Sequence, residues 1–113
     1  MSDDDKALLV AAAEAAGIPV NFKDTSATSR RIDFWIEPDG PYWNPLEDDG
    51  DAFRLAVTLR IKHFINEPCV YAGRAENDGI VSVWEEFTED PLPATRRAIV
   101  RAAAAIRGER KGT

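Results

Sequence analysis

The spacing of apolar residues predicts two helices in the first 60 positions. Ala7–Ala16 carries a modest apolar stripe behind a run of acids, and Gly17 is placed to end the helix. Apolar side chains recur at helical spacing over Asp51–Leu59 as well. Asp48 or Asp49 can cap this second helix by accepting hydrogen bonds from its first N–H groups.

A third helix is predicted near the C-terminus. It follows a proline-rich loop, with Pro91 or Pro93 near its start, and runs to about Arg107, with Gly108 at its end. Its core stripe is Ile99, Ala103 and Ile106.

Alternating or β-rich segments predict the strands. Ile32–Ile36 alternates apolar and polar positions, and Pro19–Lys23 reads as a short extended piece. Cys69–Arg74 and Ile80–Phe87 are joined through Asn77–Gly79, and Asp-Gly between β-rich segments is a strong hairpin signal.

Arg60–Ile65 fits either a continued helix or a short strand, and we favour the strand. The acidic, proline-containing stretch Glu37–Gly50 is predicted to be a structured loop. The element order indicates an α+β fold, with an antiparallel or mixed sheet layered between helices on both faces.

Length and charge narrow the functional classes. The 113 residues fit a single domain covering positions 1–113, and the net charge of −6 argues against non-specific nucleic-acid binding and against anionic membranes. The single cysteine, Cys69, excludes an intrachain disulfide, and no signal peptide or membrane span is visible. We therefore expect a cytoplasmic protein.

The charges are segregated along the chain. Two stretches carry six acids each and no base, whereas the segment from Arg96 to Lys111 carries six bases and one acid. The acids are Glu37, Asp39, Glu47, Asp48, Asp49 and Asp51 in the first stretch, and Glu76, Asp78, Glu85, Glu86, Glu89 and Asp90 in the second. This pattern predicts an acidic side and a basic helix.

Two sequence blocks resemble the phage ABA-sandwich domain family, which comprises small proteins of tailed phages and prophages. The blocks are Trp43–Ala52 followed by Arg54–Val57, and Pro93–Ala104, so that with the intervening hairpin the likeness covers about residues 43–107. The resemblance implies an α-β-α layered fold and a phage or prophage origin. It implies no common activity and no catalytic residues. Many small phage proteins of this kind act on host proteins, which is an analogy.

The acidic cluster Asp48, Asp49 and Asp51 permits two interpretations. Clustered carboxylates on a loop can bind Mg²⁺ or Ca²⁺, which would suit a small metal-dependent enzyme. The spacing is not that of an EF-hand, and capping of the second helix explains the same residues. We favour capping.

The remaining candidates also have structural explanations. Tyr42 and Trp43 could anchor an interface, or Trp43 could plug its loop onto the core, which we favour. His63 and Cys69 could in principle form a nucleophilic pair, although an inert thiol is the usual outcome in a strand. The cations Arg96, Arg97 and Arg101 could grip an acidic partner, or form a solvated face neutralised by acids elsewhere.

We therefore predict a non-enzymatic phage accessory protein that binds a host or phage protein, with an anti-CRISPR-like role as one form. No catalytic, cofactor-binding or metal-binding residue is predicted, and no cofactor. The alternatives are the metal-dependent enzyme and a structural or regulatory homo-oligomer, for which a homodimer is the simplest state. Partner contacts are predicted at Tyr42, Trp43, Glu47, Asp48, Asp49, Asp51, Glu85, Glu86, Glu89 and Asp90.

Overall fold

A computed structural model describes residues 3–18, 20–24, 32–36, 43–76 and 79–110. Helices α1 (Asp3–Ala16), α2 (Asp49–Leu59) and α3 (Pro91–Arg110) confirm the three predicted helices. The strands are β1 (Val20–Asp24), β2 (Ile32–Ile36), β3 (Lys62–Asn66), β4 (Cys69–Glu76) and β5 (Gly79–Glu86).

Hydrogen bonds cap both ends of α2. Asp48 is the N-cap, and its carboxylate accepts from the N–H of Asp51 at 2.8 Å. At the other end the N–H of Ile61 donates to the carbonyl of Ala56, and the N–H of Arg60 to that of Val57. This is the pairing of a Schellman motif, with Arg60 in the left-handed region at φ 59° and ψ 38°.

Helix α3 extends further than predicted. Gly108 was expected to end it, but the helix continues to Arg110. A single glycine lowers helix stability by only about 1 kcal/mol relative to alanine, so it can lie inside a helix whose earlier turns are firmly packed. Gly17, by contrast, does end α1, with φ at 71°.

Two antiparallel sheets are present in the described chain. β1 pairs with β2, and β3, β4 and β5 form a three-stranded sheet in that order. The segment at 60–65 is therefore the favoured strand, starting at Lys62, and the predicted hairpin is β4–β5. A cis peptide bond joins Glu67 to Pro68 between β3 and β4.

The core lies between α3 and one face of the three-stranded sheet. Helix α3 packs across all three strands, and α1 and α2 pack against α3. The inner face of the sheet buries Val70, Ala72, Val81 and Val83, against which α3 places the predicted stripe of Ile99, Ala103 and Ile106.

The α+β class with an antiparallel sheet is confirmed, and the layering differs from the prediction in one respect. Helices were expected on both faces, whereas the described helices leave the outer face of the three-stranded sheet uncovered, with Phe64, Ile80 and Trp84 exposed.

Candidate docking surface on the outer sheet face

The outer face carries three aromatic side chains in one row. Side chains alternate between the two faces along a strand, and the register pairs Phe64 with Tyr71 and Tyr71 with Trp84. One ring from each strand therefore lies in line across the sheet. We call Phe64, Tyr71 and Trp84 the aromatic row.

The three rings contact one another. Phe64 stacks on Tyr71 with centroids 4.8 Å apart, and Trp84 meets Tyr71 edge-on at 5.2 Å. Such cross-strand pairs stabilise a sheet by up to about 1 kcal/mol each. Phe64 nevertheless remains 50% exposed and Trp84 49% exposed. The row thus presents ordered apolar surface to solvent.

Gly73 provides space beside the row. A Cβ atom at this position would lie 2.2 Å from the carbonyl oxygen of Val81 and 2.6 Å from the hydroxyl of Tyr71. The tyrosine side chain therefore extends over the glycine on the same strand, two residues away. This arrangement holds the central ring of the aromatic row in place.

One end of the outer face is basic. Arg60, Lys62 and Arg74 line an open cleft of about 510 Å³, together with Tyr71 and Ile80. The Arg74 guanidinium donates to the carbonyl of Leu59 at 2.6 Å, which ties the end of α2 to the sheet. Arg74 pairs in register with Val81, so its side chain belongs to the inner face at this end of the sheet. We call Arg60 and Lys62, which are both exposed, the basic end.

The opposite end is acidic. Glu86 pairs in register with Cys69, one row beyond Trp84 on the same face. Glu89 and Asp90 follow in the loop before α3, and both are exposed. One Asp90 oxygen accepts from the N–H of Leu92 at 3.0 Å. We call Glu86, Glu89 and Asp90 the acidic end.

The carboxylates of Asp48, Asp49 and Asp51 form hydrogen bonds and ion pairs within the fold. Asp48 caps α2, and Asp49 pairs with Arg96 at 2.6 Å. Asp51 is only 8% exposed; it accepts from the N–H of Asn44 at 2.9 Å and from Arg54 at 2.7 Å. The capping interpretation is confirmed, and Asp51 is a buried structural residue rather than a partner contact. Glu47 is exposed.

The three α3 arginines whose side chains the structure describes have partners on other elements. Arg96 pairs with Asp49, Arg97 pairs with Asp5 at 2.9 Å, and Arg101 pairs with Glu85. The interpretation in which acids elsewhere on the domain neutralise this helix is therefore confirmed. Glu85, a predicted partner contact, is largely committed to Arg101.

Trp43 is a core residue. It is 3% exposed and belongs to the same apolar cluster as Leu9 and Leu55. This corrects the assignment of Trp43 as a partner contact and agrees with its alternative role of plugging the loop. Tyr42 lies outside the described residues.

His63 and Cys69 do not come together. In the register His63 lies opposite Ala72, three residues from Cys69 on β4, so the two side chains point to opposite faces of the sheet. In the described ranges, no group of three or more His, Cys, Asp or Glu residues is arranged to hold a metal ion. None of the helices described combines the length and apolar character needed to cross a bilayer.

Comparison with known proteins found no matching family model, no matching curated protein and no matching solved structure.

The aromatic row is the feature that the sequence prediction missed, although the signal was present. The hairpin signal in the sequence at Asn77–Gly79 joins β4 to β5. Their register places Tyr71 opposite Trp84, each five positions from the paired strand ends Glu76 and Gly79. A second turn at Glu67–Pro68 likewise places Phe64 opposite Tyr71. Combining the two turns would have predicted the row.

Proposed function

We propose that this protein is a non-enzymatic binding protein whose protein partner docks on the outer face of the three-stranded sheet. The observation that carries the proposal is the aromatic row, whose rings are ordered by mutual contact yet half exposed. Tryptophan and tyrosine are enriched among the residues that dominate binding energy, and covering the exposed half of Trp84 would contribute about 2 kcal/mol.

The resemblance of residues 43–107 to phage ABA-sandwich proteins supports a role as a phage or prophage accessory protein. In that setting a bacterial host protein, including a component of a defence system, is a suitable class of target. Of the acids predicted as partner contacts, Glu86, Glu89 and Asp90 lie at the acidic end and form the acidic surface proposed here. Asp49, Asp51 and Glu85 are paired with arginines.

Position-specific photo-cross-linking in bacterial cells tests the docking face. A cross-linking side chain at Ser82, which is exposed on β5 in the same cross-strand row as Lys62 and next to the aromatic row, should give covalent adducts with a partner protein. Introducing Trp84→Ser should lower their yield about tenfold or more, since loss of a central aromatic anchor commonly costs over 1.4 kcal/mol.

The matched control is the same cross-linker at Thr58, which is exposed on α2. Thermal unfolding should show that Trp84→Ser remains folded. Equal adduct yields from Thr58 and Ser82, or no adducts from Ser82, would remove the outer face as the docking surface.

A further inference from the structure

The two ends of the outer face carry opposite charges. The basic end lies on one side of the aromatic row and the acidic end on the other, so charge changes sign along the strand direction. Within the described part of the chain, Lys62 and Glu86 take part in no ion pair, unlike Asp49, Arg97 or Arg101. Their charges are therefore available to an incoming surface.

We infer that the occupant of this face is a second copy of the chain, related to the first by a two-fold axis that crosses the strands at the centre of the aromatic row. The inference rests on the proposed function and names its partner. In such an isologous contact the same patch of both copies meets itself, so the patch must be complementary to itself.

The direction of the axis follows from the charges. A two-fold axis that crosses the strands reverses the strand direction, so that the basic end of each copy faces the acidic end of the other. Because Lys62 is on β3 and Glu86 is on β5, the two side chains come together when the axis is inclined to the aromatic row, by about 35° from the strand spacing and rise. An axis along the strands would instead set basic on basic and acidic on acidic, which is repulsive. Only the first arrangement is favourable at both ends.

The same axis makes the two aromatic rows cross at their central residue, Tyr71. The exposed rings of Phe64 and Trp84 then contact the outer face of the second copy, and Ile80 adds apolar surface at the margin. Strand spacing and rise give the contact a size of about 14 by 26 Å. This is small for a protein interface, so the dimer should be reversible, with a dissociation constant roughly in the micromolar range or weaker.

Analytical ultracentrifugation with a charge swap tests the inference. The wild-type chain should show concentration-dependent dimerisation. Lys62→Glu leaves an acid at both position 62 and position 86 of a copy, and Glu86→Lys leaves a base at both, so each variant alone should dimerise about tenfold more weakly. An equal mixture of the two should recover wild-type affinity within about twofold, because each end then meets its opposite charge.

The control for altered net charge is Asp4→Lys, which changes the charge as Glu86→Lys does but lies on α1. It should leave dimerisation unchanged. Circular dichroism checks that the variants are folded, and Trp84→Ser provides an uncharged variant that should also weaken the dimer.

A wild-type chain that stays monomeric at millimolar concentration overturns the inference, as does a mixture that shows no recovery. If the chain is monomeric while Ser82 still cross-links to a different protein, the partner is not a second copy but the proposed docking face stands. If Ser82 gives no adducts at all, both ideas are wrong.

Discussion

Gly73 is the residue at which the outer face depends most on the absence of a side chain. The main chain of β5 and the ring of Tyr71 approach it so closely that a Cβ would fall within 2.2 Å of one atom and 2.6 Å of another. The first of these atoms belongs to the backbone of β5, which cannot move without disturbing the strand pairing.

Gly73→Ala should therefore destabilise the protein by about 2–4 kcal/mol, through strain in the β4–β5 pairing and displacement of Tyr71. Chemical denaturation measures the change. Gly17→Ala is the matched comparison: its φ of 71° disfavours alanine, but no atom lies within 4 Å of the added carbon. It should cost only about 1 kcal/mol, and an equal or smaller loss for Gly73→Ala would contradict the close packing described.

Asp51 illustrates how an acid that looked available in the sequence serves the fold. Asp51→Asn keeps the shape but weakens the charge-assisted bonds to Asn44 and Arg54, and should lower the free energy of unfolding by about 1–2 kcal/mol. Denaturation measures this loss, and cross-linking from Ser82 should be unaffected.

Asp49→Asn is the control for Asp51→Asn, because the Asp49 side chain is well exposed and its pair with Arg96 contributes little. A change of less than about 0.5 kcal/mol is expected. If the two variants were equally stable, the structural role assigned to Asp51 would be wrong.

At the scale of elements, most of the fold was predictable because local signals agree with tertiary structure. The caps of α2, the stripe of α3 and the positive φ of Gly79 each follow from local chemistry. The prediction that α3 ends at Gly108 was wrong because packing of the preceding helical turns outweighs the low helix propensity of one glycine. Which face of the sheet stays uncovered could not be predicted from local patterns, since it depends on how α1 and α2 pack against α3.

The candidate site was less predictable than the fold. Its acidic residues were identified by composition, but composition does not show which acids meet arginines from distant positions, as Asp49 and Glu85 do. Predicting the aromatic row required combining the strand registers of the two hairpins. The position of Arg60 at the basic end could not be predicted from the sequence. It depends on a left-handed conformation at the end of α2 that glycine usually adopts.

At the scale of the molecule, the charges do not divide into one acidic side and one basic helix. Three arginines of α3 are paired with acids of α1, α2 and β5. Lys62 and Glu86, which take part in no ion pair among the described residues, lie on the outer face on either side of the aromatic row. A net charge of −6 thus coexists with a local basic cleft. The net charge is a poor guide to what this face binds.

The central claim is that the outer face, centred on the aromatic row, receives a second copy of the chain. Amide NMR spectra of the wild-type protein across a dilution series test it most directly. We expect concentration-dependent shifts in Lys62–Phe64, Tyr71–Gly73 and Ser82–Glu86, and unchanged signals in the exposed parts of α2 around Phe53 and Val57. Shifts confined to α1 or α2, or no dependence on concentration up to the millimolar range, would contradict it.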